Sequence, residues 1–227
     1  MSGTPDFFYR EAQRLGYVAR SAFKLIQMQK QYKIITPGCS VLDLGCAPGA
    51  WLQFLVVMQV ACQNLGPLGK GGVVVGIDIK KVKVPSTHCD ERVKTVCADV
   101  MNLAREQVRA LSPQCAPQEW VVYEEKGFSV ILSDMCPLVS GITSRDAALS
   151  AELGMRAIDL AVGRAASLDC TDNDNNNHAS LVETQSYSSY TDGILRPGGN
   201  LIIKLLESED VKNSTKYANH ILERHRG

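Results

Sequence analysis

Acidic residues recur along this chain where apolar runs end: Asp43 within Val41–Leu44, Asp78 after Val73–Ile77, Asp99 after Val93–Ala98, and Asp134 after Phe128–Ser133. If each run is a strand of one parallel sheet, these ends converge on a single edge, where open α/β sheets bind ligands. An acid at the end of the second strand can accept from two ribose hydroxyls, and one at the end of the third suits an exocyclic amine on a base. Together they outline an adenosine-shaped pocket. A single such acid is as readily a helix cap or turn residue; the set in register is the signal. Lys204, inside the apolar run Asn200–Leu206, is the second anomaly. Its ammonium could snorkel to the strand end, pair with Asp134 on the neighbouring strand, or lose its proton more readily through burial, as a general base requires. Lys24 and Arg20 fall on a polar helical stripe, a pattern that is ordinarily a solvated face.

The elements that must position these groups follow from the pattern. Val41 to Trp51 reads Val-Leu-Asp-Leu-Gly-Cys-Ala-Pro-Gly-Ala-Trp, a short strand, a Gly-rich turn and the start of a helix. Gly45 and Gly49 allow close backbone approach to a ligand. Taken alone, Gly45-x-x-Pro48-Gly49 is also an ordinary strand-to-helix turn. The spacing predicts a helix from Ala19 to Lys33, strands at 41–44, 73–79, 93–98, 128–132 and 200–206, and helices over about 50–62, 103–111, 147–168 and from Asp210 onward. Residues 112–126 are irregular. Residues 167–192, rich in Ser, Asp, Asn and Thr, read as a disordered insertion within a connection. Apolar strands alternating with helices predict an α/β fold with a doubly wound, mostly parallel sheet.

The 227 residues suit one domain, with 45% hydrophobic and 21% charged residues and no net charge. Any basic surface must therefore be local. Residues up to Lys33 carry the clear local excess, with Arg10, Arg14, Arg20, Lys24, Lys30 and Lys33 against Asp6 and Glu11. The eight cysteines show no Cys-x-x-Cys and no histidine at zinc spacing, so reduced thiols and no structural metal are expected. No apolar run reaches transmembrane length, and the first residues resemble neither a signal nor a transit peptide. The expectation is an intracellular, monomeric protein, in the cytoplasm or else an organelle or the nucleus.

The motifs, taken in order, resemble the FtsJ/RrmJ-type RNA 2′-O-ribose methyltransferases. The segments are Tyr-Val-Ala-Arg-Ser-Ala-Phe-Lys-Leu (17–25), the 41–51 loop, Val-Gly-Ile-Asp-Ile (75–79), Ala-Asp-Val (98–100), Ile-Leu-Ser-Asp-Met-Cys-Pro (131–137), Ser-Gly (140–141) and Arg-Pro-Gly-Gly-Asn-Leu-Ile-Ile-Lys-Leu (196–205). The resemblance implies a Rossmann-like class I methyltransferase fold and S-adenosylmethionine as cofactor. The cofactor site would comprise the loop residues Asp43, Gly45, Gly49 and Trp51 with Asp78, Asp99 and Asp134. Lys24, Asp134 and Lys204 would match three members of a Lys-Asp-Lys-Glu catalytic set, with Lys204 as proton acceptor. RNA, ribosomal RNA by resemblance, would be the partner, its phosphates held by Arg10, Arg14, Arg20 and Lys24 in an N-terminal segment over 1–36.

The chain also departs from the family pattern. It reaches Gly227 without a match for the fourth catalytic member, a Glu on a late strand, which implies a sheet cut short before its last two strands. Gln53–Gln59 and Cys115–Lys126 read as extra sequence. An inactive cofactor- or RNA-binding module is thus the alternative function. A nicotinamide-dependent oxidoreductase is disfavoured, because the loop lacks Gly-x-Gly-x-x-Gly.

Overall fold

Apolar runs rich in Val, Ile and Leu are most stable where both faces of the sheet are covered. In the computed structural model, which describes residues 10–11, 14–15, 21–49, 51–52, 65, 68–84, 89–113, 127–163 and 193–206 (backbone only at 21, 22, 24 and 70), they form one parallel sheet. Chain order is α1 (Ser21–Tyr32), β1 (Ser40–Leu44), β2 (Val73–Asp78), β3 (Val93–Cys97), α2 (Arg105–Ala110), β4 (Phe128–Ser133), α3 (Thr143–Val162) and β5 (Leu195–Ile203). The strand order is β3-β2-β1-β4-β5, every neighbouring pair parallel. The chain winds outward from β1 to β3 and returns beside β1 as β4. The crevice between β1 and β4 is thus the topological switch point, the expected ligand site of such a sheet.

The alternation of side chains along β1 divides the core in two. Val41 packs with Leu25 of α1, Ile35, Trp51, Leu52, Val74 and Leu132. Leu42 and Leu44 pack on the opposite face with Ile77, Val108, Ile131 and the α3 residues Ala157, Leu160 and Ala161. Gln29 closes the exit of α1: its side-chain amide donates to the Ile35 carbonyl at 2.8 Å, and the Ile35 N–H donates back to its oxygen at 2.9 Å. Both groups are buried, so leaving either unpaired would be costly.

Two expectations are corrected. The helix after β4 spans Thr143–Val162 rather than 147–168. It starts early because the Asp146 carboxylate, in its first turn, captures the preceding loop. It ends early because Gly163, at φ +83°, turns the chain out of the helix while its N–H caps the Asp159 carbonyl. The fifth strand begins at Leu195, not Asn200. Phe128 pairs with Leu195 and Val130 with Asn200, so Arg196–Gly199 bulges out within the strand instead of preceding it. The strand then ends at Ile203, leaving Lys204 just beyond the sheet edge. The expected extra segments at Gln53–Gln59, Cys115–Lys126 and 167–192, and the helix from Asp210, lie outside the described residues.

Candidate active site

The loops leaving β1 and β4 cross at the switch point. The Asp134 N–H donates to the Leu44 carbonyl at 3.0 Å. Gly45 adopts φ +78°, and a Cβ there would come within 2.8 Å of the Met135 backbone. Only glycine satisfies both conditions. Below this crossing opens a cavity of about 560 Å³, within the usual size of a small-molecule site. Its wall includes Gly45 and Ala47 from the first loop, Asp78 at the end of β2 with Lys80 beyond it, and Asp99 and Met101 after β3. The Asp134–Leu138 loop after β4 and Leu149, Glu152 and Leu153 of α3 complete it.

The acids on this wall are held in place by their own turns. Asp78 accepts the Ala47 N–H at 2.9 Å through one oxygen and the Lys80 N–H at 2.8 Å through the other. Each oxygen keeps a lone pair for a ligand hydroxyl. Asp99 accepts the Met101 N–H at 3.0 Å and the Asn102 side-chain amide at 2.8 Å. Asp134 is oriented differently, through an ion pair with the Lys204 ammonium. The Lys204 side chain is 53% exposed and that of Asp134 17%. Of the three readings open for Lys204, the structure shows the pairing with Asp134; burial is not what distinguishes it.

Asp43 stands apart from the other acids. It lies within β1, flanked by Gly76 of β2 and Leu132 of β4, and it does not line the cavity. It is fully buried, and neither carboxylate oxygen has a hydrogen-bond partner. Burial pushes its carboxyl well above the ordinary range, and the nearby Asp134 and Asp78 push it further. Burial without a hydrogen-bond partner thus favours its protonated form. Cys46, next to it in the core, has its thiol pushed up by burial and by Asp43 and Asp78.

Of the other sequence-derived residues, Gly49 has φ +106° and Trp51 is buried in the core on the α1 face; neither lines the cavity. Lys24 lies on α1, with only its backbone described. Arg10 is exposed, Arg14 forks onto Glu11 at 2.8 and 2.6 Å, and Arg20 lies outside the described residues. Glu152 was missed by the sequence reading. Its signal was the spacing of Leu149, Glu152 and Leu153, which at three and four residues share one helix face. Among the described residues, no cluster of three His, Cys, Asp or Glu side chains could hold a metal, and no helix is long and apolar enough to cross a membrane.

The sequence model of the FtsJ-like methyltransferase family matches residues 17–226. The chain belongs to that family. It is 32% identical, over 98% of its own length and 81% of the relative's, to a protein of Desulfosudis oleivorans named ribosomal RNA large subunit methyltransferase E. A protein of the same name from Syntrophobacter fumaroxidans is 38% identical over 69% of this chain and 67% of that one. Among solved structures, a ribosomal RNA methyltransferase of Plasmodium falciparum has a TM-score of 0.56 at 18% identity, covering 88% of this chain and 85% of that one. That likeness shows the shared fold. The family membership makes the chain a methyltransferase, and it accounts for a switch-point cavity flanked by strand-end acids.

Proposed function

We propose that this methyltransferase uses S-adenosylmethionine to methylate a ribose 2′-hydroxyl of RNA, with ribosomal RNA as substrate. The pairing of Lys204 with Asp134, on the wall of a cavity that also carries Asp78 and Asp99, is the observation that carries the reading. The cavity fits the methyl donor. Gly45 lets the loops after β1 and β4 close together into one wall, Asp78 can take the ribose hydroxyls, and Asp99 can take the adenine amine. The donor's positive groups complement the carboxylates of Asp78 and Asp134. When bound, it supplies a sulfonium-activated methyl group.

The protein's part is then orientation and proton removal. A ribose hydroxyl is a weak nucleophile until its oxygen is aligned and its proton taken. Lys204 projects from the end of β5 with its ammonium on Asp134, and half its side chain faces solvent. It can therefore contact an incoming hydroxyl without leaving its partner. As the new oxygen–carbon bond forms and the carbon–sulfur bond breaks, the hydroxyl proton is taken by Lys204, whose ammonium must first release one of its own protons to water to free the accepting lone pair. Lys24, carried on α1, is the third member of the catalytic set. The basic N-terminal residues Arg10, Arg14 and Arg20, with Lys24, contact RNA phosphates. Ribosomal RNA as substrate places the protein inside the cell, where ribosomes mature.

The test is transfer of labelled methyl from S-adenosylmethionine to ribosomal RNA, with nuclease mapping to the 2′-oxygen. Wild type is expected to turn over; cofactor binding by calorimetry with no transfer to any RNA would refute the reading and favour a silent binding module.

A further inference from the structure

The loop between β4 and α3 shows its apolar side chains to water. Leu138 is 91% exposed, Val139 69% and Ile142 56%. Single exposed apolar residues are ordinary. These three lie within five consecutive residues of one loop whose Ser140–Ile142 part is held by hydrogen bonds. The Asp146 carboxylate, itself buried, accepts the Ser140 N–H at 2.9 Å, the Ser140 hydroxyl at 2.7 Å and the Gly141 N–H at 3.1 Å. The Ser140 hydroxyl oxygen in turn accepts the Ile142 N–H at 3.3 Å. These bonds hold the Asp146 carboxyl below its usual range, the Ser140 bonds contributing most. A buried acid thus braces an exposed apolar surface.

We infer that Leu138, Val139 and Ile142 form the seat for the nucleobase of the nucleotide being methylated. The inference rests on the reading of the site as an RNA 2′-O-methyltransferase. Two observations select the occupant. First, the same loop begins at Asp134, and Leu138 lines the cavity with it. A ribose whose 2′-oxygen lies between the cavity and Lys204 must place its base close by, and Leu138 is at most about 13 Å of extended chain from Asp134. Second, Met135–Ile142 contains no charged residue. It offers no cation to a phosphate and suits a flat, uncharged face, which every base possesses. Recognition through an unstacked base is the usual way proteins read single-stranded RNA.

The test compares wild type with the double variant V139S/I142S. Both side chains are exposed and off the cavity wall, so folding and cofactor affinity should be retained. Steady-state methyl transfer is measured on a protein-free RNA transcript, and RNA binding is followed across a salt series. The expected result is a fall in kcat/KM for RNA of about tenfold, the equivalent of losing contact with about one apolar side chain. Cofactor affinity by calorimetry and the slope of log K against log salt should stay as in wild type. Val139→Phe, which enlarges the flat surface, should raise RNA affinity. The inference is overturned if the double variant stays within twofold of wild type on naked RNA. It is also overturned if the salt slope falls, which would mean a phosphate contact. A defect confined to assembled ribonucleoprotein would point to a protein partner and sink it equally. A wild type that methylates no RNA would instead remove the proposed function itself, so the two failures are distinguishable.

Discussion

The two halves of the site, on either side of β1, are built by different means. On the β2–β3 side, Asp78 and Asp99 are fixed largely by turns two residues long, each carboxylate taking the backbone N–H of residue i+2. On the β4–β5 side, Asp134 is fixed by Lys204, which is 70 residues away in sequence. The first half can form as soon as its strands pair. The second exists only when β5 has docked on β4 in the correct register, beyond a bulge of four residues, Arg196–Gly199. Helix α3 braces that second half: the Leu206 N–H donates to buried Ser150 at 3.0 Å, and Gly154 leaves room for Leu205, which a Cβ would meet at 2.6 Å. The lesson is a division of labour, in which local turns shape the cofactor half and long-range packing shapes the half that handles the substrate.

Substitutions can separate the halves. Lys204→Ala should lower methyl transfer by about 10²–10⁴-fold, the range of a lost general base, while calorimetry finds cofactor affinity little changed; equal turnover would remove Lys204 from the reaction. Asp78→Ala should do the reverse, weakening cofactor affinity by roughly tenfold to a hundredfold, as loss of charged hydrogen bonds implies, with turnover at saturating cofactor falling less. If both variants altered affinity and turnover alike, the division would fail. Gly45→Ala joins the halves at their crossing: strain at positive φ and contact with Met135 should cost about 1–3 kcal/mol in denaturant unfolding, and an unchanged midpoint would show that the two loops are not in close contact.

Asp43 gives a subtler test. Its carboxyl is raised in the folded state, so the native protein keeps a proton that the unfolded chain releases. Its contribution is fully present below the ordinary carboxyl value of 3.8 and is lost as pH rises from there toward the folded value. Asp43→Asn should therefore raise Tm at neutral pH, with a gap growing by at most about 1.4 kcal/mol per pH unit and closing in acid. A gap independent of pH would mean that Asp43 is ionised. The smallest effect is kinetic. Cys136 lines the cavity and is exposed, whereas Cys97 is exposed but off its wall. S-adenosylmethionine should slow alkylation of Cys136 and leave Cys97 unaffected, as read by mass spectrometry.

Much of this was legible in the residues. The Gly45-x-x-Pro48-Gly49 turn, the acids closing apolar runs and the doubly wound sheet all follow from short-range pattern, because strand ends and turns are written in neighbouring residues. Two features escaped it. The acids looked equivalent in sequence, yet Asp43 lies one residue inside its strand, between Gly76 and Leu132, while Asp78 closes its strand and Asp99 and Asp134 lie beyond theirs. One residue of register decides whether a carboxylate meets the cavity or the core. Lys204 looked buried because its neighbours are apolar; the bulge in β5 and the end of that strand at Ile203 leave it at the edge.

The sequence by itself thus determined the family, the fold and the chemistry available at the sheet edge, since these depend on residue types in order. Tertiary structure decided which acid is buried without a partner and which is paired, and that an exposed apolar loop is braced by Asp146. Those outcomes depend on burial and on partners distant in the chain, which no local pattern records.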